Sequence, residues 1–348
     1  MRAWGTVIQI AFTYVGTIVG AGFATGQEIL QFFSRYGAYA TGTILLAGLM
    51  FVAVGTRIMV LAHQLGAESY EVLNKHLFGE RLGRWFSHFS LVMLFGVTCV
   101  MLAGGGSLFH EHFRLTFQAG LLIMLVLAYI IISRGLQAIV AVNSFVVPMM
   151  ALFCGLVVIA AMRSPGAGNW LQFTGDHNQV RVWTAPFLYC AYNLATAQAV
   201  LVPLGSSVKD RRTLYWGGAV GGVLITAMMM AGHFALTSQM PGIMQFEIPM
   251  GKLVAALGPT VQLLFICVIF GEIFTTFIAD VYGLSLQIRH RTGWPAKPVI
   301  AAILIGSYMI SQIGFSALLS TLYPLFGMLS MLWFVRVAAM NAQSGSQP

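Results

Sequence analysis

Apolar residues fill this chain in long blocks, parted by short stretches that hold most of its charge. A helix needs roughly 17 to 25 mostly apolar residues to cross a bilayer core. At that length the pattern predicts ten spans, over 3–33, 38–62, 87–109, 118–133, 136–162, 182–204, 214–236, 259–288, 298–313 and 315–338. The fourth and ninth are short. Two briefer amphipathic pieces are predicted as surface helices. In 69–78, Tyr70, Leu73 and Leu77 share a face that would lie along the cytoplasmic interface, and 248–257 would cap an outer vestibule.

Two of the blocks are interrupted, one in each half of the chain. The first reads Gly16-Thr17-Ile18-Val19-Gly20-Ala21-Gly22-Phe23-Ala24-Thr25-Gly26, and the second reads Pro186-Phe187-Leu188-Tyr189-Cys190-Ala191-Tyr192-Asn193. In lipid every backbone N–H and C=O must be satisfied internally, so an unwound stretch survives only where it lines a cavity or binds something. Paired broken helices at matching places in two halves point to a transporter binding site.

The spacing divides the chain at 1–163 and 182–348, five spans each, with 164–181 as an external linker carrying Pro165, Gly166, Gly168, Gly175 and Asp176. Because five is odd, the halves insert in opposite directions, which is the arithmetic of an inverted repeat. The expected architecture is an all-α integral membrane bundle of ten helices, in a 5+5 inverted repeat with helices 1 and 6 broken.

Composition agrees: 58% of residues are hydrophobic and 8% are charged, far too apolar for a soluble domain. The charges also report orientation, since cytoplasmic loops collect Lys and Arg. With the N-terminus inside, the inner loops and termini hold Arg2, Arg57, Lys75, Arg81, Arg84, Arg134, Lys209, Arg211, Arg212, Arg289, Arg291, Lys297 and Arg336, leaving Arg35, Arg114, Arg163, Arg181 and Lys252 outside. Both termini are therefore expected in the cytoplasm, in a multi-pass protein of the cell (inner) membrane. The net charge of +8 is largely this signal, so a nucleic-acid partner is not needed to explain it. Cys99, Cys154, Cys190 and Cys267 all lie in apolar runs and suggest neither disulfides nor a thiolate metal cluster. Only Arg2 precedes the first apolar run and no small-residue cleavage site follows, so that segment is read as retained.

The string from Gly16 to Glu28, with the span number, the two breaks and the equal halves, resembles the YkvI-like amino-acid permeases. That family is placed in the amino-acid/polyamine/organocation superfamily with the LeuT fold. The specific motif is the first span; the wider similarity covers the chain. In LeuT-like amino-acid transporters a glycine-flanked turn holds the substrate carboxylate, and the resemblance implies that role for Gly20, Ala21 and Gly22. A half-helix beginning near Thr25 would aim its positive dipole end into the same space. The competing reading is a packing face of small residues. Phe187, Tyr189, Tyr192 and Asn193 from the sixth span, with Tyr14, would supply aromatic walls and one orienting amide. Glu28 has three readings: a favourable acid in the first turn of a half-helix, a proton carrier, or a partner for a substrate amine.

Glu272, Thr275 and Thr276 follow i, i+3, i+4 spacing and share a face, with Asp280 a further turn toward the cytoplasm. In LeuT-like sodium symporters one sodium sits between first-span carbonyls and a carbonyl plus two hydroxyls of the eighth span. The resemblance carries this set onto Gly16, Val19, Glu272 (by its carbonyl), Thr275 and Thr276, oxygens that suit a hard cation. A departure limits it: where many relatives of that fold have Asn, completing a second sodium site, this chain has Phe23. Sodium is the favoured coupling ion. Proton coupling through Glu28 or Glu272 is the alternative, as is a non-transporting sensor or a channel on the same scaffold.

Arg2 and Trp4 stand before the first break at a spacing similar to the cytoplasmic gate of LeuT-like transporters. Arg2 would pair there with Asp280; a positive-inside anchor with an interfacial Trp is the competing reading. His110-Glu111-His112 reads as a solvated external loop, while Asn143, Ser144, Pro148 and Pro324 read as kinks. No nucleophile elbow, metal-ligand spacing or nucleotide loop occurs, so no enzyme is expected. The expected partners are a small-molecule substrate, a coupling cation and the lipid bilayer, with the chain a monomer or homodimer and no cofactor beyond the ion.

Overall fold

The structure, a computed structural model, describes residues 2–133, 149–150, 152–172, 174–175 and 178–340. Among the described residues every regular element is helical. Six helices are long and apolar enough to cross a membrane: Tyr39–Leu65, Tyr70–Phe113, Gln179–Ser207, Arg211–Thr237, Pro259–Arg289 and Phe315–Ala339. Shorter apolar helices cover Phe117–Ile132, Leu152–Met162 and Ala296–Ser311.

The first span is broken twice. Helix α1 (Arg2–Ile18) ends where Gly20 N–H turns back to Ile18 O at 3.0 Å instead of continuing the ladder to Gly16 O. Helix α2 (Ala21–Thr25) follows, and then α3 (Gln27–Phe32). Between them Gly26 has φ 87°, a left-handed conformation that glycine adopts without the Cβ penalty. Thr25 therefore closes α2 and does not open a half-helix, correcting the expected start; α2 begins at Ala21, capped by Gly20.

The second span joins α4 (Tyr39–Met50) to α5 (Thr56–Leu65) through one wide turn, Phe51–Gly55. In α6 (Tyr70–Phe113) the chain bends at Gly79, φ 77°, which separates the amphipathic piece from the long span. That piece packs on protein and not along a lipid interface: Leu73 and Leu77 are buried. Asn74 accepts from Trp333 Nε1 at 2.8 Å and Leu77 O from Arg336 Nε at 3.2 Å. Next come α7 (Phe117–Ser133), α8 (Leu152–Met162) and the linker helix α9 (Asn169–Gln172). Asn143, Ser144, Pro148 and Asp176 lie outside the described residues.

The second half holds α10 (Gln179–Ser207), α11 (Arg211–Thr237), the short α12 (Pro249–Val254), α13 (Pro259–Thr292), α14 (Ala296–Ser311) and α15 (Phe315–Ala339). Helix α10 runs unbroken through Pro186–Asn193, which corrects the expectation of a broken sixth helix. No glycine lies in that stretch. Proline removes only its own donor, the one that would reach the Val182 carbonyl, and the rest of the ladder continues; the polar side chains that follow bond within the helix, the Asn193 amide and the Thr196 hydroxyl reaching back to the carbonyls of Tyr189 and Tyr192 at 3.0 and 3.2 Å.

The helices sort into two groups by packing. Helices α1, α4–α5, α10 and α11 pack on one another; α6, α7, α13 and α14 form the second group; α15 bridges α10 and α6. Small residues permit the close crossings. A Cβ on Gly205 would lie 2.3 Å from Met59 O, and one on Gly327 would lie 2.4 Å from Leu188 O.

Residues 238–258, with α12, form a lid over α2 and α3. Met250 packs against Gly26, and Gln27 Nε2 donates to Phe246 O at 2.8 Å. His110, Glu111 and His112 form the last turn of α6, not a loop. The Glu111 carboxylate accepts Glu247 N–H at 2.7 Å and Ile248 N–H at 3.0 Å, and Ser107 donates to the Glu247 carboxylate, so the lid is fastened to α6.

Candidate functional site

A cavity of about 150 Å³ opens beside the break between α1 and α2. Thr17, Ile18, Gly20 and Ala21 form its edge at the break, and Glu28 enters from α3. Tyr192, Asn193 and Thr196 face it from α10, Thr276 and Asp280 from α13, Tyr323 from α15, and Leu94, Val97 and Met101 from α6. Its lining runs along α10 from Tyr192 toward the Ser207 end, and along α13 from Thr276 toward Asp280. The space thus lies on the side of the break that faces the start of α1, opposite the lid.

Glu28 is 3% exposed, and its Oε2 accepts the Tyr189 hydroxyl at 3.0 Å. Tyr189 is itself held in a cage of Phe32, Phe33 and Phe51, with ring centroids 5.1 to 5.9 Å away. That aromatic packing fixes the hydroxyl, and the hydroxyl fixes the carboxylate. The other oxygen, Oε1, lies against Gly22, 2.2 Å from where a Cβ on that residue would stand. Across the cavity Tyr192 and Tyr323 stack with centroids 4.2 Å apart and planes 28° apart. On Asp280 the buried Oδ2 has no hydrogen-bond partner among the described residues.

Of the residues singled out in the sequence, Gly20, Ala21, Glu28, Tyr192, Asn193, Thr276 and Asp280 meet at this cavity. Others stand apart. Tyr189 supports Glu28 from behind. Tyr14 is fully buried and donates to Phe51 O at 2.8 Å in the wide turn of the second span. Thr25 donates to Gly22 O at 3.0 Å, and Phe187 is 38% exposed on the outer face of α10. Gly22 is covered by Glu28.

The five residues matched to a sodium site are divided. Val19 and Glu272 line a separate apolar void of about 10 Å³ together with Phe12, Val15, Met150 and Met228. Thr275 is buried and donates to Glu272 O at 3.2 Å, while Thr276 faces the larger cavity. Gly16 contributes the carbonyl that the break releases from the ladder. Near the start of α1, Trp4 meets Trp216 with centroids 6.1 Å apart; the side chain of Arg2 lies outside the described residues, and with it the expected pair with Asp280.

Tyr323 is the residue that sequence reasoning missed. The signal was present in the Tyr323-Pro324 pair, a polar aromatic at mid-span, but only Pro324 drew attention and as a kink; α15 passes through it unbroken. Thr17 and Thr196 were likewise overlooked, because a lone Thr in a membrane helix usually bonds back to the preceding turn, as both do.

No family model matches the chain. It is 39% identical over 327 residues to the membrane protein YkvI of Bacillus subtilis (strain 168), covering 94% of each chain. It is 26% identical over 336 residues to YyaD of the same organism, covering 95% of this chain and 96% of that one. Among solved structures it is similar to MhsT in complex with L-phenylalanine, with a TM-score of 0.66, 15% identity, and coverage of 92% of this chain and 87% of that one. The neighbour shows the fold, the relative is a membrane protein, and both agree with the expectation that the chain is not an enzyme. The chain belongs to the YkvI family of membrane proteins and carries the LeuT-type transporter fold.

Proposed function

We propose that this protein is a cation-coupled secondary transporter of a small amine or zwitterion, such as an amino acid, working by alternating access in the cell (inner) membrane. In this reading the ten predicted spans form a 5+5 inverted repeat with both termini in the cytoplasm. The group of α1, α4–α5, α10 and α11 rocks against the group of α6, α7, α13 and α14 around a fixed site. The observation that carries the proposal is the cavity at the α1–α2 break, which joins unwound backbone, two carboxylates and two aromatic rings in one space. The fold neighbour was solved with an amino acid bound, which supports the substrate class.

Sodium is the favoured coupling ion, supported by the Gly16 carbonyl released at the break and the Thr276 hydroxyl facing the cavity. Proton coupling is the second reading, favoured by Glu272 Oε1 and Asp280 Oδ2, buried without partners among the described residues. Thermal stability of the purified protein across amino acids and amines, in sodium or in potassium, tests both, since a ligand of the folded state raises the melting point by mass action. Stabilisation that is larger in sodium and lost in Thr276→Ala supports sodium. Stabilisation that ignores the cation but changes with pH until Glu272→Gln removes the change supports protons. No shift with any ligand overturns the proposal.

A further inference from the structure

We infer that the substrate is a small organic amine without a carboxylate, held as a cation by Glu28 and Asp280. This deepens the transporter reading above and rests on it. A zwitterion needs somewhere to put its carboxylate, and the place expected for it is the break at Gly20–Gly22. The Gly22 end of that turn is already taken. The Glu28 carboxylate lies directly on Gly22, with Cγ, Cδ and Oε1 all within 2.8 Å of where a Cβ would be. A substrate carboxylate brought to the same turn would meet a second, buried carboxyl group, and two carboxylates in one low-dielectric site disfavour one another's ionisation strongly.

The ionisable groups of the lining have the same preference. Among the described residues the cavity is bordered by two acidic residues and by no Lys, Arg or His, in a chain whose net charge is +8. Glu28 is almost fully buried and lines the cavity, with the Tyr189 hydroxyl donating to its Oε2. Asp280 brings a second carboxylate, one oxygen of which has no partner among the described residues. Independently of the acids, the Tyr192–Tyr323 stack adds aromatic surface to the same wall, and aromatic faces attract desolvated cations. Buried charge is tolerated when it is paired, and an ammonium group is the partner this lining lacks. The volume of about 150 Å³ limits the ligand to a compact one, since a dry cavity of that size holds a molecule about as large as benzene.

The test compares pairs that differ only in the α-carboxylate: ethanolamine with serine, isobutylamine with valine, and isoamylamine with leucine. Binding to the purified full-length protein is measured by calorimetry and by shift in melting temperature. The amine of at least one pair is expected to bind about tenfold or more tightly than its amino acid. Glu28→Gln, which keeps the shape and the Tyr189 hydrogen bond, is expected to reduce that preference by about tenfold. Asp280→Asn, at a more accessible position, is the second variant and is expected to weaken amine binding in the same direction. Amino acids binding as well as or better than their amines, with Glu28→Gln leaving the ratio unchanged, would overturn this inference and leave the transporter reading standing. Failure of every amine and every amino acid to bind overturns both.

Discussion

Glu28 occupies the space that a side chain on Gly22 would need: its Oε1 lies 2.2 Å from the position of that missing Cβ. The two residues are six apart in sequence, and the left-handed turn at Gly26 folds α3 back so that the carboxylate reaches the break. Gly20, two residues earlier, is different, for a Cβ there meets nothing within 4 Å and would point into open space at the cavity edge. Gly22→Ala is therefore expected to displace Glu28, lower stability by about 1–3 kcal/mol as overpacking does, and abolish binding. Gly20→Ala should keep the melting temperature and exclude only the largest ligands. Melting curves and binding of both variants side by side check this, and equal effects would refute the geometry.

Helix α15 approaches α10 through Gly327, where a Cβ would press on the backbone oxygen of Leu188 at 2.4 Å. Backbone does not yield as a side chain does. Gly327→Ala should cost about 1–3 kcal/mol or more, whereas Gly42→Ala, with open space around it, should be neutral or stabilising by about 1 kcal/mol through helix propensity. Thermal denaturation in detergent distinguishes them.

The amphipathic start of α6 is docked by Trp333 Nε1 donating to buried Asn74. Trp333→Phe leaves that amide oxygen without its donor, at an expected cost of about 1–3 kcal/mol. Adding Asn74→Leu should recover part of the loss, because the two positions share one hydrogen bond. A double-mutant cycle showing simple additivity would argue that the bond contributes nothing.

The lid is held by one carboxylate accepting two backbone N–H groups, from Glu247 and Ile248. Glu111→Ala removes both acceptors, and each orphaned donor costs about 1–3 kcal/mol if it stays buried. The lid is expected to open instead. Hydrogen exchange should then accelerate at the Glu247 and Ile248 amides while the helical core of α10 keeps its protection.

Sequence alone determined the class of this protein, the helical character of its long apolar runs and the break in the first span. These are local consequences: run length fixes a span, and a glycine-rich stretch in lipid fixes where a helix unwinds. The same local logic failed for Pro186–Asn193: the stretch has no glycine to unwind it, Pro186 costs the ladder one donor, and the Asn193 and Thr196 side chains bond within the helix, so α10 stays unbroken. What faces the cavity was decided by tertiary structure. Tyr323 meets Tyr192 only because α15 packs on α10. Thr275 and Thr276 are neighbours on one helix, yet one is buried against its own backbone and the other faces the cavity. Glu111 looks like a solvated loop acid until the lid, more than a hundred residues later in the chain, lays its amides on it. Periodicity tells which residues share a face; only the packing of one helix on another tells what that face meets.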